Sequence, residues 1–143
     1  MYSSSPEGYN PPGLWRVDPA TGEAEVVIQG RTDGDPLLRL VAFPREAADG
    51  ALRFLLAEQL PNADGVYLWP PMFQLALLGG DGQAQSVSET AYSASWEGGW
   101  APGGEGLVIR LVEASTPLAG QFMWVTAEGE AVPLPADGTS PRW

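Results

Sequence analysis

The chain has 143 residues, 44% of them apolar, and carries seven basic against eighteen acidic side chains for a formal charge of −11. It contains no histidine and no cysteine, which excludes imidazole-based nucleophilic catalysis and zinc sites of thiolate or imidazole type. It also contains no lysine, and phosphate-backbone binding draws on clustered Lys and Arg, so nucleic acid and anionic membrane surfaces are poor partners.

From the start, Met1-Tyr2-Ser3-Ser4-Ser5 lacks the basic and apolar regions of a signal peptide. No run of about 20 apolar residues follows that would span a bilayer as a helix. Gly13-Leu14-Trp15-Arg16-Val17 reads as a strand, Asp18-Pro19-Ala20-Thr21-Gly22 as a turn, and Glu23 to Ile28 as the returning strand. Proline presets φ, aspartate bonds the backbone two residues on, and glycine accepts positive φ, so the pentapeptide turns for three reasons. Leu37 to Phe43 is an apolar run that leads through Pro44 and the turn Ala48-Asp49-Gly50 to a strand at Leu52 to Leu56. The nearest approach to a helical pattern, Ala47 to Leu60, is interrupted by Asp49-Gly50.

An insertion from Ala57 to Met72 separates that strand from a second hairpin, Phe73 to Leu77 and Gln83 to Ser88, around Leu78-Gly79-Gly80-Asp81-Gly82. Another strand pair follows, with Tyr92 to Trp96 leading through Trp100-Ala101-Pro102-Gly103-Gly104 to Leu107 to Val112. The third hairpin is Gln121 to Val125 and Glu130 to Leu134 around Thr126-Ala127-Glu128-Gly129. Short glycine-containing turns between such runs are hairpin signals.

The three hairpins are copies of one another. Gly22-Glu23-Ala24, Gly82-Gln83-Ala84 and Gly129-Glu130-Ala131 share one pattern. Seven residues before each glycine stands Trp15, Leu75 or Phe122, and five after it Val27, Val87 or Leu134. Repeats spaced 60 and 47 residues apart point to propellers or other arrays. With four short strands in meander order per unit, the pattern predicts an all-β fold of consecutive four-stranded antiparallel blades in an incomplete ring.

Trp100-Ala101-Pro102-Gly103-Gly104 with Val108 and Ile109 resembles the W-S-P-D-G-x-x-hydrophobic signature of WD-repeat-like propellers of the TolB type, with Ala101 in place of serine and Gly103 in place of aspartate. Phe43-Pro44 resembles a second, more divergent start, and Ser140-Pro141-Arg142-Trp143 a further one. The resemblance implies the outer half of a first blade at 1–35, a second blade with a long insertion at 36–90, a third at 91–138, and the start of a fourth at 139–143. Two and a half blades leave sheet edges and core exposed. The expectation is therefore a piece of a longer propeller, or copies that assemble to close the ring. The resemblance further implies a periplasmic, cell-surface or secreted setting in bacteria.

The resemblance implies a non-catalytic scaffold whose loops bind protein, peptide or carbohydrate, with no cofactor and no metal. An alternative is the accessory propeller of a prolyl-oligopeptidase-like serine peptidase whose hydrolase domain lies elsewhere. Loops carry binding more often than strands, so Tyr67 and Trp69 in the insertion are the ligand candidates, with Trp96 a third. Trp15, Trp100, Trp124 and Trp143 occupy repeat positions and read as packing between blades. Glu97 and Glu105 offer two carboxylates, the minimum for glycoside hydrolysis, and read equally as solvated turn residues. Asp33-Gly34-Asp35 reads as a connection rich in turn formers or as part of a calcium loop.

Overall fold

The structure is a computed structural model and describes residues 2–3, 13–47, 49–67, 71–111 and 121–134, without the side chains of 2–3 and 95–97. It is all-β and antiparallel, and no helix occurs among the described residues. The strands are β1 (Tyr2–Ser3), β2 (Gly13–Val17), β3 (Ala24–Gln29), β4 (Leu38–Glu46), β5 (Leu52–Gln59), β6 (Met72–Leu78), β7 (Ala84–Ser86), β8 (Tyr92–Trp100), β9 (Gly106–Leu111), β10 (Phe122–Thr126) and β11 (Ala131–Pro133). β1, β2 and β3 form one small sheet in that order. β4 pairs β5, β5 pairs β6 and β6 pairs β7; β8 pairs β9, β9 pairs β10 and β10 pairs β11. A ladder of two residue pairs, Met72 with Ser93 and Phe73 with Tyr92, joins β6 to β8 and links these runs.

The core explains why β4, β5 and β6 are apolar on both sides. A strand sends successive side chains to opposite faces, and in β5 both sets are buried. Leu52 and Phe54, with Val41 and Ala76, pack against Leu14 and Ile28 of the small sheet. Leu55 and Ala57, with Ala42, Phe73 and Leu75, pack against Tyr92, Leu107, Ile109 and Val125 of β8–β10. The sheet of β4–β7 is thus the middle of three layers. That is the physical reason Leu37 to Phe43 and Leu52 to Leu56 read as continuous apolar runs rather than alternating ones.

The repeated glycine pattern marks equivalent turns. Gly82 and Gly129 donate to the carbonyls of Gly79 and Thr126, at 3.0 and 2.9 Å, with φ of 79° and 92°. Gly22 closes a turn one residue longer, donating to the carbonyl of Asp18 at 2.8 Å. The residues seven before and five after the glycine are bonded neighbours: Val87 donates to the Leu75 carbonyl at 2.7 Å and Leu134 to the Phe122 carbonyl at 2.9 Å. In the first copy, a bulge between Leu14 and Trp15 pairs Trp15 with Val26 instead of Val27.

The expected turn and the strand after it form, with Gly50 donating to the Ala47 carbonyl at 2.9 Å and β5 following. One detail differs from the sequence expectations. Phe43-Pro44 is not the counterpart of the Trp100 turn. It lies within β4 at a register shift between Ala42 and Arg45, because proline has no amide to donate to the ladder. Trp15 and Trp124 are half-buried and alternate along their strands with Leu14 and Val125, which enter the two core layers. Trp143 lies outside the described residues.

Candidate functional site

Function in a molecule of this kind depends on the seams between layers and on the loops that cover them. The seam between the middle layer and β8–β11 is latched. The bulge at Phe43, with φ of 51°, aims the Phe43 carbonyl at the Trp100 indole, whose Nε1 donates to it at 2.7 Å. Two residues on, Arg45 Nη2 donates to the carbonyl of Pro102 in the turn after Trp100. Ser88 sits between the layers as a buried polar residue, accepting from the Leu75 amide and donating to the Thr90 carbonyl, both at 3.1 Å. The Trp100 indole N–H, the Arg45 Nη2 and the Ser88 hydroxyl thus each have a partner.

The seam between the small sheet and the middle layer is open. A groove of about 320 Å³ runs between β3 and β4, β5 and β7, walled by Val27, Gln29, Arg39, Leu56, Glu58 and Gln83 among others. Arg39 and Glu58 face each other across β4 and β5, and Arg39 Nε reaches Glu58 Oε2 at 3.2 Å. Gln29 is oriented by a 2.8 Å bond from its Nε2 to the carbonyl of Arg31. The groove therefore combines an apolar floor with two side-chain amides and one ion pair.

The insertion is anchored at the same end. Asn62 organises it by accepting from the amides of Asp64 and Val66, at 2.9 and 3.0 Å. Tyr67 then reaches across 31 residues of sequence to donate its hydroxyl to the Pro36 carbonyl. The Arg31 guanidinium lies 5.5 Å from the centre of the Tyr67 ring, within the range of a cation–π contact. Tyr67 is thus a fastener of the insertion onto the connection between β3 and β4. Trp69 lies outside the described residues. Trp96 belongs to β8, in a register shift between Ala94 and Gly98, and its side chain lies outside the described ones.

The carboxylates are scattered. Glu105 is an exposed residue beside the turn after Trp100, and the Glu97 side chain is outside the described set. Asp33-Gly34-Asp35 forms a turn in which the Asp35 amide bonds the Thr32 carbonyl at 3.0 Å and the Asp35 carboxylate accepts from the Leu37 amide at 2.9 Å. Among the described residues no three acidic side chains gather where they could hold a metal ion. No helix among the described residues is long and apolar enough to cross a membrane.

Sequence reasoning found the insertion but missed the groove residues Gln29, Arg39, Glu58 and Gln83. Gln83 carried a signal, since it stands in the repeat pattern itself. Arg39 carried another, as the single charge in the run from Leu37 to Phe43. The class of protein defined by these observations is an all-β chain of layered antiparallel sheets. Comparison of the chain with protein-family models, with curated proteins and with solved structures gives no match.

Proposed function

We propose that the chain is a segment of a β-propeller that works as a scaffold, offering a surface for a protein, peptide or carbohydrate and performing no chemistry itself. The observation that carries this reading is the middle sheet buried on both faces between two further antiparallel layers. Blades packed face to face around an axis have this relation to their neighbours. The repeated hairpin pattern in all three layers supports it. On this reading the groove beside β3 is the binding surface.

On this reading the outward faces meet further units of the same kind, from the same polypeptide or from another copy. Val26 and Val132, 44% and 54% exposed, stand on β3 and β11. Sedimentation of the chain tests the proposal, alone and with Val26→Asp and Val132→Asp. A discrete closed oligomer that both substitutions disperse supports it. Association that both relieve also supports it, as does a chain stabilised by appending further repeats. A stable monomer, indifferent to both charges and to added repeats, sinks it.

A further inference from the structure

The dipeptide Asp-Gly occurs at Asp33, Asp49, Asp64, Asp81 and Asp137, and the first four of these pairs lie among the described residues. In this dipeptide the glycine nitrogen can attack the side-chain carboxyl of the aspartate before it, because glycine places no Cβ in the path. The attack needs a carboxyl that can turn toward that nitrogen and an amide whose proton is not committed to a hydrogen bond. The fold meets both conditions at one pair of the four.

Gly50 donates to the Ala47 carbonyl at 2.9 Å, Gly65 to the Asn62 carbonyl at 2.9 Å and Gly82 to the Gly79 carbonyl at 3.0 Å. Asp49 and Asp81 are held as well, each carboxylate accepting at 3.0 Å from the amide two residues on, of Ala51 and Gln83. Asp33-Gly34 is different. Both residues are exposed, and among the described residues neither the Gly34 amide nor the Asp33 carboxylate has a hydrogen-bond partner. The bond that closes this turn runs from the Asp35 amide to the Thr32 carbonyl at 3.0 Å and uses neither reacting group. A Cβ on Gly34 would meet nothing within 4 Å, so the space around the reacting atoms is open.

We infer that Asp33-Gly34 is a site of spontaneous modification, at which the folded chain converts Asp33 to isoaspartate ahead of Asp49, Asp64 and Asp81. The Gly34 nitrogen bonds to Cγ of Asp33, and water leaves with the amide proton and the carboxyl hydroxyl. Water then adds back to one of the two imide carbonyls. Opening at Cγ restores aspartate. Opening at the main-chain carbonyl leaves the backbone running through Cβ and Cγ, with a carboxylate on Cα. Nothing is oxidised or reduced, and the mass of the chain is unchanged.

The product lengthens the main chain by one methylene at a point the fold uses. Tyr67 is gripped from both sides of this pair, by the Arg31 guanidinium 5.5 Å from its ring and by the Pro36 carbonyl that accepts its hydroxyl. Isoaspartate at 33 moves Pro36 relative to Arg31, so the modification loosens the insertion that Tyr67 fastens.

The test is to age the full chain near neutral pH, folded and in urea, and to map isoaspartate at each pair by peptide fragmentation that separates the two isomers. Each hydrogen bond that must break first holds the reactive form back about 2- to 12-fold. With two such bonds at Asp49 and at Asp81, isoaspartate accumulates at 33 at least about fivefold faster than at either in the folded chain. In urea the four rates converge to within about twofold, because the bonds are gone. Asp33→Glu, whose longer side chain closes a ring far less readily, abolishes the product. The aged parent is cut faster within 60–67, while Asp33→Glu aged beside it is not. Equal rates at Asp33 and Asp49 in the folded chain overturn the inference, as does the same ranking in urea. Isoaspartate at 33 with unchanged cleavage within 60–67 overturns the loosening of the insertion.

Discussion

Phe54 and Leu55 are neighbours in β5, both fully buried, and they enter different core layers. Phe54 packs with Leu14 and Ile28, and Leu55 with Leu107 and Ile109. In a sheet with one wet face, truncating one of two successive residues is nearly free. Here Phe54→Ala removes about 3–5 kcal/mol and Leu55→Ala about 2–5 kcal/mol, each a large share of the roughly 5–15 kcal/mol that holds a domain together. Pairing tells the layers apart. Phe54→Leu with Leu14→Val, within one layer, couples by about 0.5–3 kcal/mol, while Ile109→Val with Leu14→Val, in separate layers, adds to within about 0.5 kcal/mol. Urea unfolding followed by tryptophan fluorescence measures all of these. A cost below about 0.5 kcal/mol for either alanine variant refutes the three-layer packing, because such values belong to exposed surface sites.

Trp100→Phe keeps most of the ring volume but orphans the Phe43 carbonyl, and loses about 1–3 kcal/mol in the same unfolding assay, whereas Leu60→Ala, at a residue 65% exposed, changes stability by less than about 0.5 kcal/mol. Gly98→Ala places a Cβ 2.1 Å from the Val108 carbonyl oxygen at a φ of 144°, so it forces β8 and β9 apart; Gly82→Ala meets open space and costs only the left-handed conformation, about 1–2 kcal/mol. Tyr67→Phe removes the bond to Pro36 and about 0.5–1.5 kcal/mol, read as faster proteolytic cleavage within 60–67 at unchanged cleavage elsewhere. In native-state hydrogen exchange, the amides of β2 and β3 lose protection before those of β5 and β9, since the strands of the small sheet show one core layer and the latch bonds belong to the other seam.

Much of the fold was legible because the hairpins repeat a local rule. A glycine at the left-handed position of a turn closes the hairpin, and the bonded pair Leu75 and Val87 then falls at fixed distances on either side. The buried strands were legible as apolar runs without alternation. What the sequence hid depends on register. Phe43-Pro44 looks like the opening of a repeat until the ladder shows proline at a bulge. The meeting of Arg45 with Arg53 follows only when the hairpin is centred on Asp49, four residues from each. Tyr67 was picked for exposure in a loop, but its use is a contact with Pro36 that no local pattern announces. The groove walls come from β3, β4, β5 and β7, so no short segment could name them.

The two seams differ in a way that bears on where we propose binding. Between the middle layer and β8–β11 stand the Trp100–Phe43 bond, the Arg45–Pro102 bond and the β6–β8 ladder. The small sheet reaches its neighbour through one apolar layer and through its connection, where the Arg39 amide bonds the Gly30 carbonyl at 2.8 Å. Past Ile28 the layer thins and the groove opens. Its walls belong to two sheets that pack through the apolar layer of Leu14, Ile28, Val41 and Phe54, and such contacts set a distance without fixing a register, being non-directional. A ligand lying along the groove, bonded to Gln29 on one wall and to the Arg39–Glu58 pair on the other, would add directional bonds to this seam. A ligand bound there would therefore raise the stability of the small sheet by an amount that grows with its affinity.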